Sequence, residues 1–162
     1  SDSHSRLGNI CIPCRPGSPI PESERMAAKI RAGADFFTTQ ILFSLNEITQ
    51  LWREFESTRP DLLATPLLIS LCPVRKAENL AFLRYLGVHV PEEVESTLKS
   101  AAPAECLELS LQILCRLQEQ MIETARNYEG LASPGWNIAP VGSIPGAAVL
   151  DLIRRLPASL SR

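Results

Sequence analysis

Two nine-residue stretches, Asp35–Phe43 (DFFTTQILF) and Pro66–Val74 (PLLISLCPV), constrain the fold more than any other feature of the chain. Neither alternates strictly between apolar and polar residues. That pattern belongs to a strand covered on both faces, as in a parallel sheet. A segment of helical period follows each one. After the first, Ser44 and Glu47 have the S-x-x-E spacing of a capping box, with Phe43 and Ile48 placed as its hydrophobic staple. Leu45, Ile48, Leu51, Trp52 and Phe55 then recur at helical spacing. After the second, Lys76–Leu86 reads as a helix closed by Gly87.

The same alternation extends in both directions. Upstream, Asn9–Pro13 is a short strand, Arg15–Pro19 a turn, and Pro21–Arg31 a helix with acids at its front and Gly33 just past its end. Downstream, a short helix begins near Pro91. A longer one opens at Pro103, with Leu107, Leu111, Leu114, Met121, Ala125 and Tyr128 on one face. Trp136–Val141 is a weak strand, and Gly146–Leu156 a last helix. Residues 1–8 are expected to be a polar, disordered leader, and residues 9–162 one domain. Strands alternating with helices imply an α/β fold with parallel crossovers. A complete (β/α)8 TIM barrel takes about 250 residues, so four β/α units amount to a half-barrel with two open edges.

Composition excludes several function classes. With 45% apolar residues and a net charge of −2, the chain lacks the basic footprint of a nucleic-acid or membrane-surface binder. No apolar run approaches the roughly 18 residues that would span a bilayer. The five cysteines are an odd number and fit a reducing, cytoplasmic compartment. Cys11 and Cys14 form C-x-x-C, and Cys72 ends another strand. No second C-x-x-C exists, and His4 and His89 lie in the leader and a distal loop, so no metal site is expected. Arg15 is either an anion contact at a strand end or an ordinary loop arginine. Glu92, Glu93 and Glu95 suit a solvated helix start.

Gln40 lies toward the carboxyl end of its strand, where barrel enzymes place their chemistry. Alternation puts Phe36, Thr38 and Gln40 on one side. Its amide can donate and accept toward a heterocycle edge, or be satisfied by neighbouring backbone.

The segment Lys29–Phe43 (KIRAGADFFTTQILF) resembles the lysine–AGA–strand–TQ–aromatic signature of the methylenetetrahydrofolate reductase family. Ile10–Pro13, Leu71–Val74 (LCPV) and Leu86–Pro91 (LGVHVP) resemble family segments in the same order. The resemblance implies the C-terminal half of an FAD-containing (β/α)8 barrel. Such enzymes reduce 5,10-methylenetetrahydrofolate to 5-methyltetrahydrofolate, with NAD(P)H as the expected electron donor to the flavin. It places folate contacts on Gln40 and Asn79, and a folate-stacking position on Leu83 with Phe82 adjacent. Lys29 falls near the flavin phosphates, and Glu22 and Arg25 near the FAD ribose.

Two departures from the family pattern bear on function. Ala139–Ser143 (APVGS) lacks the arginine with which the family's last strand ends. The family's catalytic acid and flavin-gripping residues belong to the first half of the barrel, which this chain does not contain. The expected partners are therefore a folate and either an N-terminal half-barrel or a second copy joined at the open edges. The alternative is a non-catalytic half-barrel serving assembly.

Overall fold

Residues 5–155 are described by a computed structural model of the chain. The elements run β1 (Gly8–Cys11), α1 (Glu22–Arg31), β2 (Phe36–Ile41), α2 (Leu45–Thr58), a 3-10 turn (Pro60–Leu62) and β3 (Leu67–Leu71). They continue with α3 (Asn79–Tyr85), α4 (Glu92–Ser100), α5 (Cys106–Ala125), β4 (Gly135–Ile138) and α6 (Gly146–Arg155). The strands form one sheet in the order β1-β2-β3-β4, with every neighbouring pair parallel. Every expected element is present, and the boundaries shift by a few residues.

Register defines the two faces of the sheet. Ile10, Thr38, Leu68 and Gly135 line up across the four strands. On the opposite face Cys11, Phe37, Ile69 and Leu71 are wholly buried, whereas Ile10 is 59% exposed. One face is therefore packed and the other open. On the packed side lies a core that includes Met26, Leu51, Trp52, Leu114 and Met121, and the rings of Trp52 and Tyr128 meet at 5.6 Å. At the amino end of the open face, glycines make room for large neighbours. A Cβ on Gly8 would lie 2.4 Å from the Phe36 ring, and one on Gly135 would lie 2.5 Å from a Leu68 methyl.

Local sequence explains the turns. Gly33 and Gly87 follow helices with φ of +106° and +82°, a region that costs a side chain dearly. Ser44 caps α2, its Oγ accepting from Asn46 N–H at 3.2 Å. The reciprocal half of the expected capping box is absent. Glu47 instead lies 3.7 Å from His89 Nδ1, because the link between α3 and α4 packs over the start of α2. Burial raises the Glu47 carboxyl above the ordinary range, while His89 pulls it down.

The ordered chain also reaches into the stretch expected to be a leader. Gly8 already belongs to β1, and Leu7 exchanges two hydrogen bonds with Asp35, at 2.7 and 2.8 Å. The first four residues and the expected helix end at Leu156 lie outside the described residues.

Candidate functional site

In a parallel α/β sheet the chain leaves every strand at the same end, so the loops after β1, β2, β3 and β4 gather there. Arg75 follows β3 and donates from Nη1 to the Ser143 carbonyl beyond β4, at 3.1 Å. Asn79 opens α3 and accepts from Lys76 N–H at 3.3 Å. Its Nδ2 sits 3.3 Å from where a Gly142 side chain would begin. Asn79 thus reaches the loop after β4, where a Cβ at position 142 would crowd its amide and the φ of +79° favours glycine.

Gln40 is also at this end, on the half-exposed row of Phe36 and Thr38 that strand alternation predicts. A β-bulge interrupts the β2–β3 register between Thr38 and Ile41, so Ile41, not Gln40, pairs with Ser70. Burial alternates through Gln40, with Phe36, Thr38 and Gln40 half-exposed and Phe37 and Thr39 buried, so the extra residue breaks the alternation only at Ile41. Its Nε2 donates to the Leu86 carbonyl at the end of α3, 3.1 Å away. The backbone-satisfied amide considered from sequence is therefore half realised, with Oε1 left as an acceptor.

The bulge also builds a polar relay that sequence reasoning missed. Ser70 N–H donates to Thr39 Oγ1 at 2.9 Å, and Ser70 Oγ donates to the Thr39 carbonyl at 2.7 Å. Asn137 Nδ2 then donates to Ser70 Oγ at 3.0 Å. The hydroxyl proton is already used, so Asn137 can only present its NH2 to Ser70, which leaves its Oδ1 as an acceptor on the open face. The only sequence signal was the two-residue spacing of Gly135 and Asn137 in a weak strand.

Position 83 does not line a ligand surface. Leu83 is fully buried, and Phe82 beside it is half-exposed. The helical turn points one residue into the core and its neighbour out.

The residues expected to hold a flavin are engaged elsewhere. Glu22 is 5% exposed: its Oε1 accepts from Ile12 N–H at 2.9 Å and its Oε2 from Arg15 Nε at 2.9 Å. Arg15 is thus a structural ion-pair partner. Lys29 Nζ donates to the Ile10 carbonyl. Arg25 reaches Ser18 Oγ at 3.2 Å, with its Nε 4.0 Å from Glu22. As placed, both carboxylate oxygens of Glu22 are taken, whereas half-buried Lys29 keeps two of its three N–H donors beyond the Ile10 carbonyl.

The thiols do not gather either. Cys11 and Cys72 are buried and Cys14 is half-buried. Burial, reinforced by Glu22, pushes the Cys11 thiol up to about 12, and burial pushes Cys72 up to about 11. No cluster of three or more His, Cys, Asp or Glu side chains suited to a metal occurs among the described residues. No helix among them is long and apolar enough to cross a membrane.

A parallel α/β sheet with amides and an arginine at its carboxyl end defines a class of ligand-binding α/β domains. Comparison with known proteins narrows the class. The sequence model of the family described as methylenetetrahydrofolate reductase matches residues 13–125. This chain belongs to that family. Among solved structures, one with a TM-score of 0.72 and 22% identity is described as an uncharacterized protein from Clostridium thermocellum that binds two copies of 5-methyl-5,6,7,8-tetrahydrofolic acid. The superposition covers 93% of the present chain and 52% of that one, so the present chain spans about half its length. No curated protein sequence matches the chain.

Proposed function

We propose that the chain is a folate-binding half-barrel that takes a reduced folate such as 5-methyltetrahydrofolate at the carboxyl end of its sheet. One observation carries this reading: in a member of the methylenetetrahydrofolate reductase family, four groups with spare hydrogen-bonding capacity, Gln40, Arg75, Asn79 and Asn137, gather at the loop end of one parallel sheet. A pterin edge carries both donors and acceptors. The acceptors Gln40 Oε1 and Asn137 Oδ1 suit its N–H groups, and the guanidinium of Arg75 suits a carboxylate tail. The folate-binding protein of similar fold supports the ligand class. Five free thiols fit a reducing compartment such as the cytoplasm. Calorimetric titration of the purified chain with 5-methyltetrahydrofolate tests the proposal. Saturable binding that weakens in Asn79→Ala is expected, and no heat of binding would remove it.

A second reading is favoured by the chain's 52% coverage of its structural neighbour. Four further β/α units would close a barrel, and the completed unit would reduce 5,10-methylenetetrahydrofolate to 5-methyltetrahydrofolate. FAD would supply the hydride and NAD(P)H would restore the flavin. This chain's share is to bind and orient the folate, and no redox step is assigned to its residues. Mixing the chain with a first-half barrel and FAD discriminates the two: folate-dependent oxidation of reduced flavin supports closure, and its absence supports the binding unit.

A further inference from the structure

Two groups of one β/α unit hold the link that joins α3 to α4. Gln40, at the end of β2, donates from Nε2 to the Leu86 carbonyl at 3.1 Å. Glu47, in the first turn of α2, reaches the His89 ring further along the link, with Oε2 3.7 Å from Nδ1. Gly87 lies between the two contacts at a φ of +82°. Val88 and Val90 are buried on either side of His89, whose own ring is mostly exposed.

The two members of the pair sit in unlike surroundings. The Glu47 side chain is 13% exposed, and its Oε2 is buried with no hydrogen-bond partner among the described residues. A carboxylate placed so is costly unless a cation faces it. Among the charged groups, His89 alone acts on it. Arg84, at the end of α3, is held by Glu95 at 2.8 Å, and Glu95 also holds Lys99 at 2.7 Å. Glu92 and Glu93 open α4 in solvent, and Arg53, the next charge along α2, is exposed. Arg116 of α5 lines the cleft beside Leu45 and Pro91 and is exposed as well.

Histidine changes charge between about pH 5 and about pH 8, so this contact is conditional. With the ring protonated, the carboxylate is compensated and the link is drawn onto α2. With the ring neutral, the buried carboxylate has no cation, and the closed arrangement is disfavoured. We infer that Glu47 and His89 are positioning residues for Gln40: their pair closes the α3–α4 link onto α2 and so sets the Leu86 carbonyl to which the Gln40 amide is tied. The consequence for affinity rests on the folate reading; the consequence for the Gln40 amide does not.

The test is calorimetric titration of the full chain with 5-methyltetrahydrofolate at about pH 6 and about pH 8, with NMR of the Gln40 side-chain amide in the ligand-free chain. Wild-type affinity should fall about two- to fivefold between the lower and the higher pH, the range of an exposed ion pair. His89→Gln and Glu47→Gln should each bind equally at both. His89→Lys, charged at both, should keep the tighter affinity throughout, a rescue that a merely structural role does not give. The Gln40 NH2 resonances should move with pH in the wild type and stay fixed in Glu47→Gln. An unchanged wild-type affinity, or a slope that survives in His89→Gln, would overturn the inference. If folate does not bind at all, the folate reading falls and the resonances decide alone. A shift that Glu47→Gln abolishes then sustains the inference, and no shift in the wild type removes it.

Discussion

Asn137 on β4 and Ser70 on β3 share a hydrogen bond of 3.0 Å, and its direction is fixed because Ser70 has already given its proton to Thr39. This orders the amide without occupying its oxygen. Replacing Asn137 by leucine keeps the bulk and removes the acceptor. The expected outcome is about tenfold weaker binding of 5-methyltetrahydrofolate with the thermal midpoint little changed, read by calorimetry and a melt of the same sample.

Ser70→Ala removes the middle of the relay. It strands the Thr39 carbonyl and the Asn137 NH2 at a site where Ser70 is 2% exposed. A loss of about 1–3 kcal/mol follows, measurable by urea denaturation. A loss near zero would mean that the relay does not form.

Gln118 lies on α5 with no exposed surface, and neither end of its amide has a partner among the described residues. It interrupts a face otherwise formed by Leu111, Leu114, Leu117 and Met121. An unpaired buried amide costs more than an apolar side chain of similar shape, so Gln118→Met should stabilise the fold by about 1–2 kcal/mol. A lower urea midpoint in the variant would contradict this.

The buried thiols set an alkaline limit. The Cys11 pKa in the folded chain, about 12, is above its ordinary value of 9.0, so the unfolded chain gives up this proton first. Stability from this group is intact below the unfolded value and falls as pH rises toward the folded one, by up to about 1.4 kcal/mol per pH unit. Urea midpoints of the wild type should therefore fall between about pH 8 and about pH 10.5, and Cys11→Ala should fall less. Parallel slopes for the two proteins would refute the linkage.

Gly135→Ala places a methyl 2.5 Å from a terminal methyl of Leu68. The leucine must turn away, at a cost of about 1–3 kcal/mol. Adding Leu68→Ala should recover part of that loss, giving a positive coupling in a double-mutant cycle.

The strand and helix order was legible in the sequence because apolar period and turn chemistry are local. Asp35–Phe43 and Pro66–Val74 read as strands and Gly33 and Gly87 as helix ends, but Asp35–Phe43 is covered on one face and not, as expected, on both. The family signature was legible for the same reason. Site geometry was less accessible. One inserted residue between Thr38 and Ile41 brought Ile41 instead of Gln40 opposite Ser70, and nothing in the strand's own composition marks a bulge. The misplaced ligand position at Leu83 and the capping role expected of Glu47 but not taken have the same origin: each is decided by what a distant segment packs against it.

What the sequence by itself determined is the series of β/α units and their membership in a folate-enzyme family, since periodicity and short motifs survive without contacts. What only the tertiary structure decided is the use of the polar side chains. Lys29 and Glu22 meet Ile10 and Ile12, and Asn137 meets Ser70, across separations of 10 to 67 residues. A hydrogen bond needs its partner within about 3 Å, and only the folded chain brings these groups that close.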